Sequence, residues 1–147
     1  MLPHERSTNR VLCVDDNHDA AESLALLLRL VGLQAEAAFD GPSALRTAAW
    51  FLPHACVSDI NMPGMDGFEL ARRLRAWAES RPLLLIALTA RTTEDDRRRS
   101  LEAGFDVHLN KPADSEEVVR LVVAFGSRRT VSEEPLEADP PLIVPAR

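Results

Sequence analysis

The sequence predicts an α/β domain: a doubly wound, five-stranded parallel sheet in the order 2-1-3-4-5. Two observations predict it. Short apolar runs and helical patterns alternate strictly, five times over, between residues 10 and 126. Strict alternation implies right-handed crossovers with helices on both faces of the sheet. The apolar runs end on polar residues, as parallel strands do where the chain turns toward its next helix.

The elements follow in order. Residues 1–9 are polar and read as a loose N-terminal segment. Arg10-Val11-Leu12-Cys13-Val14 is a buried-strand run ending in Asp15-Asp16. Asn17 or Asp19 can cap the next helix, where Ala20, Leu24, Leu27, Leu28 and Val31 recur at helical spacing and Gly32 closes it. Ala35 to Phe39 is a weaker, more polar strand, expected at a sheet edge. Asp40-Gly41-Pro42-Ser43 opens a second helix carrying Ala44, Leu45, Ala48 and Leu52, and Pro53 ends it. Residues 55–58 form the third strand, stopping at Asp59. Pro63, Gly64 and Gly67 enforce a tight loop, and Asp66 is a good N-cap for a helix with Phe68, Ala71, Leu74 and Trp77 on one face. The run from Leu83 to Leu88 is the most apolar strand, covered on both faces, and Thr89-Ala90 ends it.

Residues 93–103 predict a fourth helix of unusual polarity, acids first and arginines after, with little apolar surface for docking. A short fifth strand, 106–110, leads into Lys111-Pro112. A fifth helix presents Val118, Leu121, Val122 and Phe125 inward. From 127 to 147, Pro135, Pro140, Pro141 and Pro145 break the periodicity, so a disordered, Pro-rich tail is expected.

Composition narrows the function. A formal charge of -6 and a pI of about 5.2 argue against direct nucleic-acid binding. No run suits a membrane span and the polar N-terminus shows no signal peptide. Cys13 and Cys56, both in apolar runs, read as reduced core thiols of a cytoplasmic protein. Lys111 is the only lysine among 17 basic residues, as if placed where a compact, flexible charge matters.

The polar strand ends form a constellation. Asp15 and Asp16 end strand one, Asp59 ends strand three, Thr89 ends strand four and Lys111 follows strand five. All fall on one edge of the sheet, beside the switch point between strands one and three where open α/β sheets bind ligands. Strand five lies roughly 10 Å from strand three, a gap the lysine stem can span. Three carboxylates gathered there repel one another, and a hard divalent cation answers that repulsion. A shallow oxygen site suits Mg2+, which keeps waters and accepts phosphate oxygens. A nucleophilic carboxylate, a cation, an ammonium and a hydroxyl are the parts phosphoryl transfer needs.

These motifs match a family. Asp15-Asp16, Asp59 with Met62-Pro63-Gly64-Met65-Asp66-Gly67, Thr89-Ala90 and Lys111-Pro112 make residues 10–126 resemble the receiver domain of two-component response regulators. Within that family it is similar to the single-domain chemotaxis receivers. The resemblance implies a flavodoxin-like (βα)5 fold and a phosphoprotein of a phosphorelay. In it, Asp59 accepts a phosphoryl group from a sensor histidine kinase or phosphotransfer protein. It implies that Asp15, Asp16, Asp59 and the carbonyl of Asn61 hold Mg2+. It implies too that Lys111 pairs with the Asp59 carboxylate or a phosphoryl oxygen, that Thr89 swings onto the phosphoryl group, and that Lys111-Pro112 is cis. Receivers catalyse only their own phosphorylation and dephosphorylation, so no enzyme in the usual sense is expected. One position departs: where relatives carry Tyr or Phe, this chain has His108, read either as a partly buried, hydrogen-bonded residue or as part of the switch. His4, His18 and His54 read as surface residues.

Other classes fit less well. An aspartyl-phosphate phosphatase needs a second acid two residues past the nucleophile, and here that residue is Asn61. A dinucleotide-binding module needs glycines in its first turn, which reads Asp15-Asp16-Asn17-His18-Asp19. The remaining alternative is a phosphate-independent docking scaffold on the same fold. With no output domain following residue 126, the expectation is a stand-alone receiver. Its signal would pass to a downstream protein through helix four, strand five and helix five.

Overall fold

The computed structural model describes residues 9–90 and 93–137, with side chains to Ser127. Ten elements alternate along the chain: β1 (Arg10–Val14), α1 (His18–Leu30), β2 (Gln34–Ala38), α2 (Gly41–Phe51), β3 (Ala55–Asp59), α3 (Gly67–Ala78), β4 (Leu84–Thr89), α4 (Glu94–Ala103), β5 (Val107–Asn110) and α5 (Ser115–Glu137). The strands pair in parallel in the order β2-β1-β3-β4-β5. The sheet is thus the one the alternation predicts.

The helix ends follow local chemistry. Asn17 accepts from the Ala20 amide, Asp40 from Ser43 and Asp66 from Glu69, each capping a helix. Thr93 and Asp96 form a reciprocal capping box at the start of α4. Gly104 closes that helix at φ 114°, a left-handed conformation that favours glycine.

Two cores cover the two faces of the sheet. Alternate strand residues Val11, Cys13, Ala55, Val57, Leu84 and Ile86 pack with Leu24, Ala25 and Leu28 of α1 and Val118 and Val122 of α5. The intervening residues Leu12, Val14, Cys56, Leu85 and Ala87 pack with α2 and α3, and with Ala103 and Phe105 at the end of α4. The helices therefore divide two and three. Cys13 and Cys56 fall on opposite faces and are both free thiols. Burial pushes the Cys13 thiol up to about 12, and raises that of Cys56 as well.

Three local expectations change. In α1 the inward set is Ala21, Leu24, Ala25 and Leu28, while Leu27 and Val31 stay exposed. Small alanines let the helix sit close on the sheet, and that turns Leu27 and Val31 outward. Helix α5 continues to Glu137, through the first part of the segment expected to be a tail. Residues 138–147, like 1–8 with His4, lie outside the described residues. His54 is half-buried, its Nδ1 accepting from the Arg10 amide at 3.2 Å. His18 is exposed as expected, stacked on Phe39 with centroids 3.8 Å apart.

Candidate functional site at the carboxyl edge of the sheet

Strand register assembles the site. Val14 pairs with Ser58, so Asp15 and Asp59 leave adjacent strands at the same level. Asp59 pairs with Leu88, which puts Thr89 one step further along β4. Thr89 pairs with Asn110, and Lys111 follows. The Lys111 amide donates to the Thr89 carbonyl at 2.8 Å, fixing where the lysine leaves the sheet. The Lys111-Pro112 bond is cis.

The loop after Asp59 is shaped by close approach. The Gly67 amide donates to the Ile60 carbonyl at 2.7 Å, closing residues 60–67. A Cβ on Gly67 would lie 2.5 Å from the Asp59 carbonyl oxygen, so no larger residue fits there. Gly64 takes φ 77° in the same loop.

Burial and charge conflict at this edge. Asp15, Asp59 and Thr89 are each 4–5% exposed, whereas Asp16 is exposed. Lys111 Nζ lies 3.1 Å from Asp15 Oδ2 and 3.2 Å from Asp59 Oδ2, bridging the two buried acids. The lysine thus serves Asp15 as closely as Asp59, a pairing that strand order alone does not reveal. Asp15 also accepts from the Asn17 amide at 3.0 Å.

The titrations follow from that geometry. Burial raises the Asp59 carboxyl above its ordinary value, Lys111 pulls it back and the charge of Asp15 raises it again; the net shift is upward. Burial alone would lower the Lys111 ammonium. Its hydrogen bond to Asp15 and the charges of Asp59 and Asp15 outweigh this and raise it.

Asp15, Asp16 and Asp59 each bring one carboxylate oxygen into a group within 4.8 Å of one another. Three hard oxygen donors, one of them exposed, fit a Mg2+ ion that keeps waters on its open side. Asn61 is exposed at the mouth of the site. It lines a polar cavity of about 260 Å³ together with Thr89 and, on α4, Asp96 and Arg99. The α4 side of this cavity was not foreseen, because helix–sheet docking is invisible in strand-end motifs.

His108 sits on β5 with both ring nitrogens buried and without a hydrogen-bond partner. That corrects the expectation of a hydrogen-bonded histidine. Burial and the neighbouring Arg97 charge lower its pKa, against a smaller opposing effect of Asp96. The Ser100 hydroxyl of α4 is likewise buried and unpartnered. Both residues line a second cavity of about 260 Å³ with Arg97, Leu101 and Phe105.

A parallel sheet in this order, with acids and a lysine at its carboxyl edge, defines a class of small α/β signalling domains. The family model of the response regulator receiver domain matches residues 11–123, and the chain belongs to that family. Transcriptional regulatory protein PrrA of Mycobacterium leprae is 42% identical over 144 residues, covering 92% of this chain and 61% of that protein. A 14.6 kDa protein of Leptolyngbya boryana is 41% identical over 115 residues, 78% of this chain and 88% of its own length. The chain thus spans about 60% of the PrrA relatives it matches. Among solved structures, chemotaxis protein CheY4 of Vibrio cholerae superposes with a TM-score of 0.75 at 27% identity, over 81% of this chain and 99% of CheY4. Receiver domains are signalling domains, not enzymes in the usual sense, and they bind Mg2+ at an acidic pocket. No described helix is long and apolar enough to cross a membrane.

Proposed function

We propose that Asp59 accepts a phosphoryl group from a phosphohistidine on a sensor histidine kinase or phosphotransfer protein. One observation carries the reading: a single lysine bridges two buried carboxylates at 3.1 and 3.2 Å, with a third carboxylate beside them. A buried acid cluster of this kind costs stability, and such clusters collect where a site has chemistry to do.

The chemistry is a displacement at phosphorus. An Asp59 oxygen forms the new P–O bond as the P–N bond to the donor imidazole breaks, and the imidazole leaves with the bonding electron pair. Asp15, Asp16, Asp59 and the Asn61 carbonyl would hold a divalent cation, which would neutralise charge on the transferred group. Lys111 holds Asp59 in position and offers its ammonium to a phosphoryl oxygen. The Thr89 hydroxyl, one register step beyond Asp59, donates to another. The Gly67 contact keeps the loop close, so the acceptor cannot retreat.

The phosphorylated form is read by a downstream protein through α4, β5 and α5. Supporting this, α4 buries only Ser100 and Ala103, leaves Leu101 64% exposed, and borders the cavity that holds His108. The site of action is the cytoplasm, where such donors reside.

Incubation with Mg2+ and acetyl phosphate should add one phosphoryl mass increment, absent in Asp59→Asn. Uptake by that variant equal to wild type would refute the assignment. No uptake by wild type would return the scaffold reading. Amide exchange across 93–110 should change with beryllofluoride, a phosphoryl mimic; unchanged protection would remove α4 and β5 from the signalling surface.

A further inference from the structure

We propose that Arg99 of α4 is a phosphoryl-contacting residue, which leaves Phe68 and enters the polar cavity beside Asp59 when the phosphoryl group arrives. The proposal rests on the phosphoacceptor reading of Asp59.

Three observations meet at this side chain. Arg99 lines the same cavity as Asn61, in the loop after β3, and Thr89, at the end of β4. Its guanidinium lies 4.5 Å from the centroid of the Phe68 ring. Among the described residues, no carboxylate forms an ion pair with it; the pairs of α4 belong to Arg98, with Asp95 and Glu102. An arginine whose five donors meet only an aromatic face is held weakly at an exposed site. A planar fork meeting a phosphoryl group gains two parallel charged hydrogen bonds, which are stronger. The balance therefore tips when phosphate is present and returns when it leaves.

Charge points the same way. Asp59 carries one negative charge before transfer, and the acyl phosphate carries two. Lys111 is already shared with Asp15, and the lysine with a divalent cation would just balance Asp15, Asp16 and Asp59, so the added negative charge remains to be met from outside the strand ends. Arg97 lines the other cavity, with Ser100 and His108, and Arg98 is paired along the helix. Arg99 alone of the three faces the acceptor side. Its movement would also pull on α4, whose docking is thin.

The test uses beryllofluoride with Mg2+ on the full chain. Arg99→Gln should bind it about tenfold more weakly than wild type, with Arg99→Lys between the two. The Arg99 Nε–H signal in nitrogen-15 spectra should shift and gain protection from exchange on binding. Equal affinity of Arg99→Gln together with an unmoved Nε–H signal overturns the proposal and leaves Asp59 as acceptor. If wild type binds no beryllofluoride and takes up no phosphate, the acceptor reading itself fails and this one fails with it.

Discussion

At the scale of single residues, His108 shows what buried polarity costs. Two ring nitrogens without partners forfeit their hydration, and substitution by an apolar ring of similar shape removes that loss. His108→Phe should therefore be neutral or stabilising, by about 1 kcal/mol in urea unfolding at pH 7. The pH dependence gives a sharper check. With the folded pKa below the ordinary 6.5, the unfolded chain binds the proton more readily. Stability is thus full above about pH 6.5 and falls as pH drops through the window down to the depressed folded value. Arg97 and Asp96 on α4 face the ring with opposite charge, and burial decides the sign. The variant should lose that slope; a slope equal to wild type would assign it elsewhere. Sequence placed His108 at the departure from its relatives, yet not its lack of partners. Residue type and strand position are local, whereas hydrogen-bond satisfaction depends on which side chains α4 lays over β5.

At the scale of elements, one arginine of α3 ties together the segments before β4, after α4 and before β5. Arg75 Nε donates to the Gly104 carbonyl at 2.9 Å, Nη1 to Leu83 at 2.6 Å, and Nη2 to Asp106 at 2.6 Å. Asp106 in turn accepts from the Leu85 amide at 2.9 Å. Leu83 is buried, so removing the guanidinium leaves its carbonyl without that donor. Arg75→Ala should cost about 2 kcal/mol in chemical unfolding, more than an exposed ion pair would account for. A loss within about 0.5 kcal/mol would show that water replaces the bonds. Strand and helix limits were legible from apolar runs, caps and glycines, because those signals are local. Helix rotation was less so: the leucines of α1 marked a helix, but its alanines chose the inward face. Arg75 itself carried no signal, since its three acceptors lie just before β4, on β5's approach and past α4.

At the scale of the whole molecule, topology alone gathers the site. Five strand ends far apart in sequence reach one edge because all five strands run parallel, and that was readable once the alternation was seen. The acids were readable for the same reason. What strand ends could not show was the second layer, where α4 brings Arg99 to the cavity and Lys111 divides itself between Asp15 and Asp59. The two cores share one sheet, so a ligand held at its edge should stabilise both together. Mg2+ at a hundred times its dissociation constant should add about 2.7 kcal/mol to global stability. Because the ion draws on carboxylates that otherwise repel, Asp16→Asn should abolish most of that gain while changing the cation-free midpoint little, Asp16 being exposed. Asp59→Asn removes a buried carboxylate and should also abolish the gain, with the cation-free midpoint raised instead. Thermal unfolding of the three proteins with Mg2+, and with NaCl at matched ionic strength as the control, separates the cases. An equal Mg2+ shift in all three would mean that the cation acts by general screening and that the carboxylates do not hold it.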